Sequence, residues 1–412
     1  MCATHTPLKK QKITTAHLYF VSILLAFLSC YFHILPLIEL AKILTDNFIK
    51  IFKCISLPII SLSIIVTFSK FRGDSHIKAI SKKTLYYTIG TTLVAGAVTC
   101  GLYYFISPTN LGLDNPIAPL NSDLQTINYL AYLNNIIPSN IFAPFIEHQV
   151  MGVLLISIIV GLALSFINED PSRNAITQFF KGLHALFMVI TSWVVKIIPL
   201  ALFGFITTTI LQIQSGGEIS GLSEYLLVVI LANIVQGFII LPLFLYTHKI
   251  KPYSSMKAMF PALSVAFFSK SSAGTLPITI NTIEKNLGVS PKVSRLVLPL
   301  CTSINMNGCA AFIFATVIYL MQNHGIEISF ITMLSWIVIA TIAAIGNAGV
   351  PMGCFFLSAS LLSSMNVPIE ILGLILPFYS IIDMVETALN VWSDSCVTKV
   401  IDGKFKEKSS LD

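Results

Sequence analysis

Long apolar runs alternate with short polar connectors along the whole chain, near residues 18 to 36, 47 to 69, 84 to 106, 150 to 168, 184 to 211, 223 to 246, 294 to 320 and 371 to 396. Most reach the roughly 20 residues a helix needs to cross a hydrocarbon layer, which predicts an all-α polytopic membrane protein with eight transmembrane helices. Two further apolar stretches, 258 to 283 and 329 to 363, are interrupted by Gly, Pro and small polar residues. They read as re-entrant helical hairpins, because non-helical backbone at membrane depth persists only where protein or a cavity satisfies its polar groups.

Polar residues inside apolar segments point to chemistry. The last run ends IIDMVETALNVWSDSC, Ile381 to Cys396. At about 100° per residue, Asp383, Glu386, Thr387, Asn390 and Asp394 share one helical face, while Met384, Leu389 and Trp392 lie off it. A charged group at a bilayer centre costs about 2.5–3.5 kcal/mol on translocon scales. Asp383 also precedes Asp394 by roughly 16 Å of helical rise, too far for both to be a solvated helix end. The preceding span carries Asn305-Met306-Asn307-Gly308, expected to break the helix and turn amide and carbonyl oxygens toward a small hard cation. Sodium suits such oxygen ligands, with Asp394 supplying the charge. In the first interrupted stretch, Ser271-Ser272-Ala273-Gly274-Thr275-Leu276-Pro277 reads as a hairpin tip in which Gly274 and Pro277 break the helix. Free backbone N–H groups there suit an anion such as an amino acid carboxylate.

Composition agrees with the apolar pattern. Of 412 residues, 55% are hydrophobic and 11% charged, against about 25% charged in soluble domains, and the mean hydropathy is +0.82. The net charge of +6 needs no nucleic-acid partner, because the basic residues gather in short connectors. Segments 70 to 83, 169 to 183, 247 to 257, 284 to 295 and the tail hold Lys and Arg, whereas 107 to 149, 212 to 223, 321 to 328 and 364 to 370 hold none. By the positive-inside rule both termini are cytoplasmic, stretch 258 to 283 enters from inside, and 329 to 363 enters from outside. Lys42, in the expected first external connection, runs against this pattern. The basic N-terminus and the apolar run from His17 read as a first span, since no small-residue cleavage site follows. Among the eight cysteines, Cys30, Cys54, Cys100, Cys301, Cys309, Cys354 and Cys396 lie in or beside apolar tracts without metal-ligand spacing and read as small buried hydrophobes. Lys196 reads as a snorkelling or interface residue, and Trp193, Trp336 and Trp392 as packing or belt residues.

The two interrupted stretches resemble each other, with Asn347-Ala348-Gly349-Val350-Pro351 in the second, and each precedes a span bearing a polar cluster. A hairpin and helix repeated in inverted orientation is a secondary-transporter plan. A channel shares the polar hairpins but not the inverted repeat around a binding site. An intramembrane hydrolase is disfavoured because Asp383 and Asp394 sit on one helix and no GlyXSerXGly elbow is present. The chain therefore reads as no enzyme.

Lys53 to Pro58, Tyr86-Tyr87, Ile137 to Phe142, the SerSerAlaGlyThrLeuPro tip, Asn305 to Gly308, Gly346 to Pro351 and Asp383 through Asp394 together resemble the dicarboxylate/amino acid:cation (sodium) symporter family, which includes glutamate and neutral amino acid transporters. The likeness covers nearly the whole chain in order. It implies a homotrimer in the plasma (cytoplasmic/inner) membrane that co-transports sodium with an amino acid and uses no organic cofactor. Residues 1–69 (spans 1 and 2) and 111–222 (spans 4 and 5) would form a static scaffold. Residues 70–110 (span 3), 223–257 (span 6), 258–283 (hairpin 1), 284–328 (span 7), 329–363 (hairpin 2) and 364–398 (span 8) would form an elevator-type transport domain, with 399–412 a cytoplasmic basic tail.

Residue by residue, the resemblance implies a substrate set of Ser271, Ser272, Cys309, Gly349, Asp383, Glu386, Thr387 and Asn390, with the α-carboxylate near Ser272 and Asn390 and the α-amino group on Asp383. One sodium site would use Asn305, Asn390 and Asp394, and a second Ser303 and Met306. A third, at Tyr87, Thr91 and Asn307, is weakened because Asn307 replaces the family's Asp and Gly90 a hydroxyl residue. Four residues before the stripe's Asn, where acidic amino acid transporters carry Arg, this chain has Glu386, and Cys309 replaces the Thr of the NMDGT motif. Arg pairs bidentately with a carboxylate; Glu would repel one in a low-dielectric site by several kcal/mol. A neutral or cationic amino acid is therefore expected rather than a dicarboxylate, although the family also holds proton- or sodium-coupled glutamate, aspartate and C4-dicarboxylate symporters. Two readings of Glu386 stand: it faces a cationic substrate side chain, or it pairs with Lys270 and leaves a pocket for a small neutral one.

Overall fold

A computed structural model describes residues 15–69, 75–111, 137–147, 149–214, 220–347, 349, 352–365, 367, 369 and 371–409, and is helical with no strand among them. In chain order the helices are α1 (Thr15–Tyr31), α2 (Leu35–Phe68), α3 (Ser75–Ile106), the single turn α4 (Ala143–Ile146), α5 (Val150–Phe166), α6 (Asp170–Gln214) and α7 (Ser220–Val235). A π-helical segment, Gln236–Ile240, joins α7 to α8 (Leu241–Thr247). Then follow α9 (Pro252–Ser269), α10 (Ser272–Leu287), α11 (Pro291–Ile304), α12 (Asn307–Asn323), α13 (Phe330–Ile345), α14 (Gly353–Ser364) and α15 (Leu372–Ser409). Ala348, Val350 and Pro351 of the second stretch, Lys70 and Arg72, and residues 112–136 lie outside the described residues.

Proline sets several starts. Pro36, Pro252 and Pro291 stand in the first turns of α2, α9 and α11, where the missing N–H has no intrahelical partner to lose, whereas Pro242 follows the π-helical segment inside the continuous helix Gly221–Thr247. Inside α6, Pro199 cannot donate to the carbonyl four residues back, and the helix bends by 46° between Asp170–Val194 and Lys196–Thr208.

Among the described residues, four helical stretches are long and apolar enough to cross a membrane, Ala79–Ile106, Gly221–Thr247, Pro291–Asn323 and Leu372–Phe405, and the bent α6 makes a fifth if counted as one span. These correspond to expected spans 3, 6, 7, 8 and 5. Spans 1, 2 and 4 fall in the shorter apolar helices Leu18–Tyr31, Cys54–Phe68 and Val150–Phe166. Three connectors expected as loops are largely helical instead. Lys42 belongs to the start of α2, residues 75 to 83 to the start of α3, and most of 169 to 183 to the start of α6, because an apolar window detects the hydrocarbon-compatible part of a helix and not its polar turns.

The helices form two groups. In one, α1, α2 and α5 pack on α6 or on each other. Gly204 of α6 faces α2 so closely that a Cβ there would stand 2.6 Å from the Ala41 carbonyl oxygen and 2.4 Å from Thr45 Oγ1. Small residues permit such approach between membrane helices. Gly204→Ala is expected to destabilise the protein by about 1–3 kcal/mol through overpacking, read as a lower thermal midpoint in detergent; an unchanged midpoint would show that the two backbones part freely.

In the other group, α3, α7, α13, α14 and α15 pack on α12, whose residues Asn307 to Met321 are all buried, while α9, α10 and α11 pack on α15. Helices α9 and α10 fold back on each other across Lys270 and Ser271. The break lies there, not at Gly274 and Pro277, which are both within α10. Lys270 adopts a left-handed conformation (φ 54°), and Ser271 caps the new helix by accepting the Gly274 N–H at 3.0 Å. This cap starts the helix before Pro277, which stands inside α10. The chain's last helix secures the base of this pair: Lys399 donates to the Leu287 carbonyl at 2.7 Å, and Asp402 accepts the Ser290 N–H at 3.0 Å.

Candidate functional site

The face of α15 expected to be polar points inward. Asp383 (5% exposed), Glu386 (1%), Thr387, Asn390 and Asp394 are all buried. Two breaks in neighbouring elements meet this face. The span formed by α11 and α12 is interrupted at Asn305 and Met306, as the AsnMetAsnGly cluster led us to expect. The chain between α13 and α14 turns through Gly349 (φ 71°) and Met352 (φ 59°). At Gly349 a Cβ would stand 3.3 Å from both the Ala273 nitrogen and the Thr302 carbonyl oxygen, so the two tips and the broken span converge on one point.

Asp394 accepts from Asn305 Nδ2 at 3.0 Å and from Thr302 Oγ1 at 3.4 Å. Both donors are neutral, so they orient the carboxylate without cancelling its charge. Asn305 also donates to Ser393 Oγ at 2.9 Å and accepts from Thr91 Oγ1 at 3.0 Å. Asn390 Oδ1 accepts the Gly308 N–H at 2.9 Å, which ties the stripe to the first turn of α12. Thus Asn305 and Asp394 touch directly, with Asn390 one turn away. Met306 stands beside the second tip, its Sδ 3.9 Å from Asn347 Nδ2, whereas the Ser303 hydroxyl turns back to the Pro299 carbonyl at 3.4 Å.

About three turns before Asp394 on α15, Asp383 has its Oδ2 buried without a hydrogen-bond partner, and the Met352 backbone N–H lies beside its carboxylate. Thr387 spends its hydroxyl on the Asp383 carbonyl at 2.7 Å. Glu386 lies where α12 and α15 cross closest, since a Cβ at Gly308 would be 2.8 Å from Glu386 Cα. Its Oε2 accepts from the Tyr379 hydroxyl at 3.4 Å, and its Oε1 is buried and unpartnered. The expected Lys270–Glu386 pair does not form: Lys270 donates to Ser380 Oγ at 2.5 Å, and the carboxylate it interacts with is Asp383. The left-handed turn at Lys270 sends its chain toward the start of the stripe and not its middle. Ser272 is buried and Ser271 half-buried at the tip of the first hairpin.

The Tyr87, Thr91 and Asn307 set is divided. The Tyr87 hydroxyl accepts from Lys404, whose ammonium also lies 5.0 Å from the ring centroid. Thr91 serves Asn305, and the hydroxyl that reaches Asn307 Oδ1 is that of Thr92, at 3.0 Å. The other side of Asn307 donates to Ser393 Oγ at 2.5 Å. Sequence reasoning passed over Thr92, Thr302 and Ser393, and read Asn347 only as part of the second tip. A signal for Thr92 existed, since Thr84, Thr88 and Thr92 recur every four residues and form a buried hydroxyl row on α3.

Two further findings revise or refine the reading of isolated residues. Cys309 and Cys354 are joined by a disulfide, and Cys54 is exposed; Cys30, Cys100, Cys301 and Cys396 are buried thiols as expected. Local spacing could not reveal the pairing, because 45 residues separate cysteines that only the packing of α14 on α12 brings together. Trp392 is buried and donates to the Gly237 carbonyl at 3.1 Å, within the π-helical segment, a type of irregularity frequent at functional sites.

A family model described as the sodium:dicarboxylate symporter family matches residues 16–404. Neutral amino acid transporter B(0) of Bos taurus is 26% identical over 382 residues, covering 84% of this chain and 70% of that protein. Human neutral amino acid transporter A is 26% identical over 348 residues, covering 74% and 65% respectively. The Caenorhabditis elegans protein glt-4, whose name assigns it to sodium-dependent excitatory amino acid transport, is 32% identical over 258 residues, covering 62% and 51%.

Proposed function

The chain belongs to the sodium:dicarboxylate symporter family, and from that premise we propose that this membrane symporter couples inward sodium flow to uptake of a small neutral amino acid. Glu386 carries this reading. It is a buried acid with an unpartnered oxygen at the position where acidic amino acid transporters place Arg, so it offers a substrate carboxylate no cation, and in its ionised form it would repel one at 4 Å by about 4 kcal/mol at an effective dielectric of 20. The names of the mammalian relatives support the same substrate class. The substrate carboxylate meets the N-terminus of α10 at Ser271 and Ser272, its amino group meets Asp383, and Cys309, Gly349, Thr387 and Asn390 line the remainder. Sodium binds at Asn305, Asn390 and Asp394, and a second ion at Met306 and Ser303.

The α9–α10 and α13–α14 pairs act as re-entrant hairpins, and together with α3, α7, α8, α11, α12 and α15 they move as an elevator against a trimeric scaffold of α1, α2, α5 and α6, with both termini cytoplasmic. A second reading, a cationic amino acid, is favoured by one observation: Lys270 leaves Glu386 unpaired. Uptake of radiolabelled acidic, neutral and basic amino acids into proteoliposomes, with and without a sodium gradient, tests both. Sodium-driven accumulation of a neutral amino acid is expected; strong aspartate or glutamate uptake would sink the substrate assignment.

A further inference from the structure

The disulfide between α12 and α14 lies against an acid that it does not use. Cys309 Sγ, Cys354 Sγ and a carboxylate oxygen of Glu386 all lie within 4.8 Å of one another, and each residue is about 1% exposed. Three separate helices supply these atoms. Glu386 Oε1 is buried without a partner, and an ionised carboxylate in that condition is strongly unfavourable unless a cation answers it. The surroundings already orient the donors: Asn347 Nδ2 lies 2.8 Å from Cys309 Sγ and 3.4 Å from Cys354 Sγ, and Tyr379 holds the other Glu386 oxygen. Groups hydrogen-bonded to ligand atoms in this way fix ligand geometry at metal sites.

We propose that reduction of the Cys309–Cys354 bond opens a site for a soft divalent cation of the zinc class, held by the two thiolates and the Glu386 carboxylate. In the reduction a small dithiol delivers two electrons and two protons and becomes a cyclic disulfide, leaving Cys309 and Cys354 as thiols. The metal then displaces both thiol protons to solvent. Thiolate sulfur selects zinc and its softer congeners over sodium, magnesium or calcium, and the sulfurs part to accept metal–sulfur bonds of about 2.3 Å. The bound ion ties α12, α14 and α15 together. Because Cys309 and Glu386 also line the proposed substrate chamber, the ion blocks it; that consequence rests on the functional reading above, whereas metal binding does not.

The test uses full-length protein in detergent carrying Cys2→Ser and Cys54→Ser, which removes Cys2 and the exposed Cys54. It is reduced with dithiothreitol, desalted without air and titrated with cadmium chloride. We expect an ultraviolet sulfur-to-cadmium charge-transfer band saturating at one ion per chain, absent from unreduced protein and lost in Cys354→Ser. Glu386→Gln should keep the band with affinity weakened at least about 10-fold. No band after reduction, or an undiminished band in Cys354→Ser, would overturn the site; Cys354→Ala repeats the measurement should the serine variant fail to fold. In reduced proteoliposomes, cadmium should inhibit uptake by the parent and not by Cys354→Ser. Binding without inhibition would overturn the placement of the ion in the substrate chamber.

Discussion

Asp394→Asn is expected to raise the sodium concentration for half-maximal uptake by at least about 100-fold, or to abolish sodium-driven uptake altogether. The carboxylate is buried, and the groups donating to it, Asn305 Nδ2 and Thr302 Oγ1, are neutral. An ion taken out of water into this position depends on that single negative charge, and removing one member of a buried charge pair costs about 3–5 kcal/mol, where each 1.4 kcal/mol is tenfold in affinity. Asparagine keeps the volume and an oxygen ligand, so folding should survive, as size-exclusion elution and the thermal midpoint will show. The sodium dependence of uptake in proteoliposomes is the deciding measurement. An unchanged half-saturation would remove Asp394 from the ion site and leave its burial to be explained by its bonds to Asn305 and Thr302 alone.

Glu386→Arg should change which amino acid is carried. The native carboxylate stands at the crossing of α12 and α15 with one oxygen free. Arginine there would present a planar fork suited to bidentate pairing with a substrate carboxylate, replacing a repulsion of about 4 kcal/mol with attraction. Aspartate uptake should rise by roughly three orders of magnitude relative to a neutral amino acid, measured as the ratio of their uptake rates at equal concentration. Lys270 is engaged with Ser380 and Asp383, so it need not move to admit the new cation. Unchanged selectivity would place the side chain of residue 386 outside the substrate chamber.

Within the candidate site, legibility differs from residue to residue. The stripe from Asp383 to Asp394 was readable because five polar residues at helical spacing in an apolar segment have few explanations, and the break at Asn305 and Met306 was readable because consecutive amides compete with the helix for hydrogen bonds. The start of α10 was misplaced by one short turn. Gly274 and Pro277 look like breakers in isolation, yet a left-handed Lys270 and the Ser271 cap begin the helix before them. Partner identity was harder still. Thr91 and Thr92 are adjacent in sequence, but a rotation of about 100° between them sends one to Asn305 and the other to Asn307.

What the sequence determined by itself is whatever repeats along one helix: the apolar runs, the buried polar face of α15, the interrupted stretches and the family that their order identifies. These follow from periodicity and from the cost of polar groups in hydrocarbon, both local properties of the chain. Tertiary structure decided which distant residues meet. It gave Lys270 to Ser380 and Asp383 instead of Glu386, Tyr87 to Lys404, and Cys309 to Cys354. Each of these pairings depends on the crossing of two or more helices, and a crossing is set by the packing of side chains from both partners, which no single helical pattern contains.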